Sequence, residues 1–143
     1  VAEINGLDAA LDRYLSEGPE TIWARHALTS AATRDGGRAM GVRLWPAHEE
    51  IASPTCTAVK MPDGIDAGLV LATARSHYGV SLSAGRSETL GKLIRIGHMG
   101  PTAQPMYAQV AVAALGGALA VHGATIDLAA GLSAVQARID SAH

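Results

Sequence analysis

Phenylalanine is absent from the 143-residue chain, and its few aromatic rings come from two tryptophans and three tyrosines. The interior must therefore be built mainly from Ala, Leu, Val, Ile and Met, which implies that the helices pack closely. Hydrophobic residues make up 48% of the chain, which is typical of a globular domain and not of a disordered segment. No repeat or Pro/Gly/Ser-rich linker divides the sequence, so we expect a single domain over residues 1–143.

Cysteine occurs only once, at Cys56. A single thiol excludes an internal disulfide and a multi-cysteine zinc site, and it fits the reducing conditions of the cytoplasm. Five histidines lack metal-ligand spacing with one another or with Cys56, and we therefore expect no metal site; they are His26, His48, His77, His122 and His143.

An excess of charge is also lacking, because 11 basic and 13 acidic residues give a formal net charge of −2. The basic residues are spread along the chain, so we expect no nucleic-acid partner. The longest apolar stretch, residues 110–121, is shorter than the roughly 20 residues of a membrane-spanning helix, and we expect no membrane partner either. No signal-peptide pattern opens the chain. The chain also starts without Met, which suggests that it is part of a longer protein.

Helical periodicity and turn residues divide the chain into nine predicted elements. A first helix carries Ile4, Leu7, Leu11 and Leu15 on one face and ends at Gly18, and a second helix runs from Pro19 to the glycines at 36–37 or 41. The remaining elements are predicted as strands at 42–45 and 56–61, a helix at 67–78, strands at 80–83 and 93–97, and helices at 105–122 and 127–139. This order favours an α+β fold with a small antiparallel or mixed sheet covered on one face by helices.

Arg95 is a permanently charged residue within a run of apolar, strand-forming residues. Alternation along a strand places Leu93, Arg95 and Gly97 on one face and Ile94 and Ile96 on the other, so one face is core and the other is a candidate site. A guanidinium can bind a carboxylate through two parallel hydrogen bonds. That carboxylate is either a structural Asp or Glu or part of a substrate, and the sequence leaves both open.

Other polar residues near Arg95 are further candidates. Ser87 and Thr89 could donate to a carboxylate or simply form a turn, and Ser81 and Ser83 should share the face of Arg95. His98 could polarise a substrate, orient Arg95, or be satisfied by backbone groups. Farther away, the neighbouring Glu49 and Glu50 could form a general-acid pair or a solvated charge cluster.

Several segments together resemble the C-terminal small domain of class V aminotransferases. They cover nearly the whole chain and comprise Asn5-Gly6-Leu7-Asp8, Ser16-Glu17-Gly18-Pro19, Trp23-Ala24-Arg25-His26-Ala27-Leu28, Ile51-Ala52-Ser53-Pro54-Thr55, Leu93-Ile94-Arg95-Ile96-Gly97-His98-Met99-Gly100 and Gly100-Pro101-Thr102-Ala103-Gln104-Pro105. Arg86, nine residues before Arg95, favours the pyridoxamine-pyruvate branch of this family.

The resemblance implies the small domain of fold type I, the large fold of vitamin B6 enzymes, in a homodimer whose active sites lie between large and small domains. It implies that Arg95 binds the substrate carboxylate and that Arg86 assists. His98 and Ser87 are candidate supporting residues on the residue chemistry given above. The implied reaction is pyridoxamine plus pyruvate to pyridoxal plus L-alanine, with alanine-glyoxylate or serine-pyruvate transfer as the alternative within the class. The implied cofactor chemistry is that of pyridoxal phosphate, or of free pyridoxal and pyridoxamine acting as substrates.

The family's Schiff-base lysine lies in its large domain, and neither Lys60 nor Lys92 has that sequence context. We therefore expect no catalytic residue in this chain, which alone should be inactive. The other open interpretation is a free-standing α+β regulatory module that uses Arg95 to bind a small-molecule effector. A reading frame that continues upstream of Val1 into a large domain would favour the enzyme.

Overall fold

A computed structural model of the chain describes residues 1–142. Over this range the elements are α1 (Ala2–Glu17), α2 (Pro19–Ala39), β1 (Cys56–Lys60), α3 (Ala67–Tyr78), β2 (Ser83–Ala84), β3 (Leu93–Gly97), α4 (Pro105–Val121) and α5 (Leu128–Asp140). Short 3₁₀ turns lie at Glu49–Ile51, Ser87–Thr89 and Gly100–Thr102. The five predicted helices are confirmed, and they begin or end at the expected turn residues, such as Pro19 at the start of α2 and the capping Asp66 before α3.

The three strands form an antiparallel sheet in the order β1-β3-β2. The predicted α+β fold is confirmed. Of the two predicted sheet types, antiparallel and mixed, the structure has the antiparallel type. Strand β3 lies in the centre, so that Arg95 pairs with Ala58 on one side and with Ser83 on the other. Directly paired residues share a face of the sheet.

The strand predicted at 42–45 does not form. Only Leu44 bridges to Val59, and the backbone N–H of Trp45 donates to the carbonyl of Ala58. Pro46 follows immediately, and because proline has no N–H it cannot extend this ladder.

The strand predicted at 80–83 is shorter and lies later in the chain, at Ser83–Ala84. Gly79 ends α3 with a left-handed φ of 69°, and the N–H of Val80 donates to the carbonyl of Ala74. Val80 therefore belongs to the end of α3. The chain pairs with β3 only from Ser83 onward.

The two faces of the sheet differ as alternation predicts. Ile94 and Ile96 are buried in the helical core together with Val59. On the opposite face Arg95 is only partly buried and Ser83 is exposed. Leu93, which alternation places on the Arg95 side, is buried as well. This face is therefore buried at the Leu93 end of β3 and accessible farther along the strand, at Arg95 and Gly97.

Glycines allow the close helix packing that the scarcity of aromatic residues implied. A Cβ added to Gly36 of α2 would lie 2.5 Å from Cγ2 of Val135 and 3.1 Å from the carbonyl oxygen of Gly131 in α5. A Cβ added to Gly131 would lie 2.9 Å from Cβ of Met40. Helices α2 and α5 therefore approach one another backbone to backbone at Gly36 and Gly131. A residue larger than glycine at either position would not fit between them.

His98 follows β3 and is buried on the helical side of the sheet. Its Nε2 lies 2.8 Å from Oγ1 of Thr57, and its backbone N–H donates to the carbonyl of Thr55. Burial lowers the pKa of His98 to about 4, with a smaller contribution from the positive charges of Arg34 and His26. The imidazole is therefore neutral at pH 7.

Helix α1 contributes no buried residue to the core. Its four apolar residues at helical spacing, Ile4, Leu7, Leu11 and Leu15, are between 47% and 70% exposed and form a stripe along one side. We call these four residues the α1 stripe. Among residues 1–142, no helix is long and apolar enough to cross a membrane.

We predict that Gly36→Ala destabilises the domain by about 1 to 3 kcal/mol, because the added methyl group overpacks the contact between α2 and α5. Gly6→Ala is the matched control, since a Cβ at Gly6 meets nothing within 4 Å and lies in the exposed helix α1. It should be neutral or stabilising by up to about 1 kcal/mol. Thermal or urea unfolding of the purified chain measures both changes, and equal effects of the two substitutions would contradict the close contact.

We also predict a pH dependence that originates at His98. Because the folded pKa of about 4 is below the unfolded value, the unfolded state binds the proton more tightly. Stability is fully present above about pH 6.5 and declines as the pH falls toward 4. Between pH 7 and pH 5 the titration of His98 should lower the unfolding free energy by about 2 kcal/mol. In His98→Gln the difference in unfolding free energy between these two pH values should be smaller by that amount. An unchanged difference in the variant would contradict the burial of a neutral imidazole.

Candidate functional site

Arg95 occupies the centre of the sheet face that is not covered by helices. Its direct neighbours across the strands, Ala58 and Ser83, have small side chains, and Gly97 follows two positions along β3. The guanidinium therefore meets little side-chain volume across the strands and toward Gly97. A small anion could approach it without displacing a large neighbour.

The Nε of Arg95 donates a 2.9 Å hydrogen bond to the carbonyl oxygen of Ala84 in β2. Neither of its Nη atoms has a hydrogen-bond partner among residues 1–142, and no Asp or Glu in that range forms an ion pair with it. The Nε bond fixes the direction of the guanidinium and leaves the outer edge, formed by Nη1 and Nη2, available. This edge has the geometry for two parallel hydrogen bonds to a carboxylate.

The structure contradicts the interpretation that Arg95 pairs with a structural carboxylate within the described chain. Of the arginines that are at least partly buried, Arg25 pairs with Glu17 and Arg34 pairs with Glu49. Arg95 belongs to the same class by burial but lacks an acidic partner within residues 1–142. Because a partly buried charge without a counter-ion is costly, a ligand carboxylate would stabilise it.

Arg86 lies in the loop at residues 85–91, two residues after Ala84 and therefore close in sequence to the carbonyl that holds Arg95. Its side chain is exposed and has no hydrogen-bond partner among the described residues, whereas its main chain is fixed at both polar groups by Thr89. The structure thus brings Arg86 and Arg95 onto connected segments, but it does not show a shared ligand. The role of Arg86 stays a prediction.

The other residues of the predicted site fall in different places. Ser87 is in the same loop as Arg86 and has a left-handed φ of 49°, which is unusual for a residue other than glycine. His98 forms its side-chain hydrogen bond with Thr57 on the helical side of the sheet, and no hydrogen bond joins it to Arg95 within the described residues. Direct orientation of Arg95 by His98 is therefore not what this geometry provides.

Cys56 lies on the same sheet face as Arg95, paired with Gly97 of β3. Burial raises the pKa of its thiol, and the nearby charge of Arg95 opposes that rise. The thiol is therefore protonated at neutral pH and a poor nucleophile.

The structure favours the solvated charge cluster over a general-acid pair, because Glu49 and Glu50 are both exposed and the pKa of Glu49 is lowered. Glu49 accepts hydrogen bonds from Arg34 and Arg38, and the contact with Arg38, followed by that with Arg34, lowers the pKa of its carboxyl. This ion-paired cluster fixes the turn at Glu49–Ile51 against α2. Its role is structural.

The part of the chain that the structure describes contains no group of three His, Cys, Asp or Glu residues that could hold a metal ion. His143 lies outside the described residues. Sequence reasoning did not identify the Ala84 carbonyl as part of the site. It offered Thr89 as a donor to a carboxylate or as a turn-forming residue, and in the structure the Thr89 hydroxyl closes the turn with the main chain of Arg86. A backbone acceptor leaves no signal in the residue types, although the spacing between Gly85 and Thr89 is that of a tight turn.

No protein-family model matches the chain. The chain is 58% identical over 141 residues to a pyridoxamine-pyruvate transaminase of Mesorhizobium japonicum, a match that covers 99% of this chain and 36% of that protein. It is 34% identical over 136 residues to an L-aspartate-glyoxylate aminotransferase of Paracoccus denitrificans, covering 95% of this chain and 34% of the relative. The chain therefore spans about a third of the length of the relatives it matches.

The fold has a close counterpart among solved structures. The crystal structure of pyridoxamine-pyruvate aminotransferase from Mesorhizobium loti superimposes with a TM-score of 0.98 and 57% identity, and the match covers 100% of this chain and 36% of that chain. Agreement in sequence thus extends to the arrangement of all the described helices and strands. The chain belongs to the class V aminotransferases of fold type I, and its fold is that of their small domain.

Proposed function

We propose that this domain binds the substrate carboxylate in an aminotransferase that converts pyridoxamine and pyruvate to pyridoxal and L-alanine. The observation that carries the proposal is the Nη edge of Arg95, which has no partner among residues 1–142, on a chain that is 58% identical to a pyridoxamine-pyruvate transaminase. Pyruvate and alanine share a carboxylate next to the reacting carbon. A fixed guanidinium that binds this carboxylate would orient that carbon for transfer of the amino group.

The contribution of Arg95 follows from its geometry. The carbonyl of Ala84 accepts from Nε and holds the guanidinium in one orientation before any substrate arrives, so little rotational freedom is lost on binding. The carboxylate would accept from Nη1 and Nη2 in the end-on arrangement, because Nε is already occupied. Arg86 would add a second positive charge from the adjoining loop.

Vitamin B6 supplies the electron-withdrawing ring on which amino transfer depends. The two lysines of this chain lack the sequence context of the family's Schiff-base lysine. In the structure the ammonium of Lys60 lies 5.8 Å from the centroid of the Trp45 ring, and Lys92 is exposed. We infer that the ring, phosphorylated or free, is held by a large domain of the same polypeptide. This domain alone would then be inactive.

The α1 stripe supports the existence of that large domain. Its four apolar side chains are exposed, and the related proteins contain about two-thirds of their length outside the matched region. We propose that the large domain covers the stripe, as an apolar surface of this kind normally faces a partner. The homodimer and the cytoplasmic location stay predictions, as does the division of the polypeptide into two domains.

Transfer to glyoxylate is the second candidate, and it is favoured by the similarity to an L-aspartate-glyoxylate aminotransferase. Glyoxylate has the same carboxylate as pyruvate, so Arg95 would bind either. The regulatory-module alternative also retains an anion at Arg95, but it leaves the α1 stripe without an occupant. The upstream reading frame distinguishes that alternative from the enzyme.

We predict that Arg95→Ala in the full-length protein weakens the binding of pyruvate and alanine by about 2 to 4 kcal/mol, because a charge-assisted pair is lost. Arg95→Lys should restore little of this loss, since a point charge cannot replace two parallel donors. Steady-state constants measured for both substrates test the change, with Arg75→Ala, an exposed arginine on α3, as the matched control. Unchanged constants for Arg95→Ala would refute the assignment, and full rescue by Lys would refute the two-donor geometry.

We also predict that full-length protein mixed with pyridoxamine and pyruvate produces pyridoxal, which is followed by its absorbance. Alanine should appear in equal amount. Turnover of glyoxylate with an amino acid donor, together with silence toward pyridoxamine, would instead establish the second candidate. Omitting pyruvate is the control for non-enzymatic oxidation of the vitamin.

A further inference from the structure

The loop at residues 85–91 is closed by one hydroxyl group. The backbone N–H of Arg86 donates to Oγ1 of Thr89 at 2.9 Å, and the same Oγ1 donates to the carbonyl of Arg86 at 2.7 Å. The backbone N–H of Thr89 donates to that carbonyl as well, at 2.9 Å. Thr89 therefore satisfies both main-chain polar groups of Arg86, and its hydroxyl has no donor left for a substrate.

The surrounding backbone is shaped for this closure. A Cβ at Gly85 would clash with the carbonyl oxygen of Thr89, so the two segments can approach this closely only with glycine there. Ser87, between them, has a left-handed φ of 49°. A non-glycine residue keeps such a conformation only where its surroundings fix it, and the hydrogen bonds between Arg86 and Thr89 on either side of Ser87 are suited to do so.

The other end of the loop is attached to Arg95. The carbonyl of Ala84 accepts from Nε of Arg95 at 2.9 Å, and the N–H of Gly85 donates to the carbonyl of Leu93 in β3 at 3.1 Å. The three consecutive residues Ala84, Gly85 and Arg86 are thus tied to β3 at one end and to Thr89 at the other. The main chain of Arg86 consequently has a fixed position relative to the guanidinium of Arg95.

We propose that Thr89 is a positioning residue that directs the side chain of Arg86 toward the anion bound by Arg95. Thr89 does not itself touch the substrate, and it acts only through Arg86. The proposal rests on the proposed function, because it requires that Arg86 contact the carboxylate. Thr89 would then determine the affinity for the keto acid without contacting it.

The test is a double-mutant cycle in the full-length enzyme with Arg86→Ala and Thr89→Val, which replaces the hydroxyl by a methyl group of similar size. Thr89→Val should raise KM for pyruvate about 3- to 10-fold with little change in kcat, as expected for the loss of one or two hydrogen bonds. Thr89→Ser, which keeps the hydroxyl, should behave like the natural protein. In the Arg86→Ala background, Thr89→Val should cause no further increase.

Two measurements that do not use turnover accompany the cycle. Calorimetric titration with pyruvate should show the same pattern of affinities, and the backbone amide of Arg86 should exchange its hydrogen faster in Thr89→Val than in Thr89→Ser. If the valine variant does not accumulate as folded protein, Thr89→Ala provides the same loss of the hydroxyl with a smaller side chain.

The outcomes separate the two claims. An unchanged KM in Arg86→Ala overturns the proposed role of Arg86 and the inference with it. A raised KM in Arg86→Ala with an unchanged KM in Thr89→Val overturns the inference alone. Equal effects of Thr89→Val in both backgrounds, or of Thr89→Ser and Thr89→Val, also overturn it, because the effect would then not pass from the hydroxyl through Arg86.

Discussion

The contact between Gly36 of α2 and Gly131 of α5 is the constraint on which the rest of the domain depends. A core without phenylalanine cannot fill wide gaps between helices, so the helices must meet at their backbones. Val112 of α4 packs beside the same contact and brings the third helix into the layer. This layer buries Ile94 and Ile96 and thereby supports the central strand from beneath.

The helices support one face of the sheet, and Arg95 lies on the opposite face. Strand β3 has neighbours on both sides, so the position of Arg95 is set by the sheet as a whole and not by a mobile loop. The carbonyl of Ala84 then restricts the guanidinium itself. Elsewhere in the chain, glutamates neutralise Arg25 and Arg34. Arg95 is held firmly and has no carboxylate partner in the part of the chain that the structure describes, so it is suited to bind an anion from outside.

The sequence was sufficient to predict what depends on neighbours along the chain. The helices were predictable because Pro19, Asp66 and Gly79 act locally, and the two faces of β3 followed from simple alternation. The resemblance to aminotransferases rested on short segments and was confirmed by the relatives and the superimposed crystal structure.

What could not be predicted depends on residues that meet only after folding. His98 and Thr57 are 41 positions apart, and the carbonyl that holds Arg95 belongs to an alanine, so residue types gave no indication of either contact. The ion pairs of Glu49 required the turn at Glu49–Ile51 to lie against α2. Strand lengths at 42–45 and 80–83 were overestimated because local β-propensity does not show where a partner strand is available.

The junction between α1 and α2 has a consequence for how the domain can move. Gly18 joins the two helices with a φ of 88°, and no residue of α1 belongs to the core. Among residues 1–142, the side-chain hydrogen bonds across the junction are those between Glu17 and Arg25. Helix α1 therefore lies outside the buried core, to which α2 contributes from Thr29 onward. Within residues 1–142, rotation of α1 about Gly18 would break one partly buried ion pair, that of Glu17 with Arg25, and no core contact. The domain could swing relative to whatever covers the α1 stripe while its own interior stays unchanged.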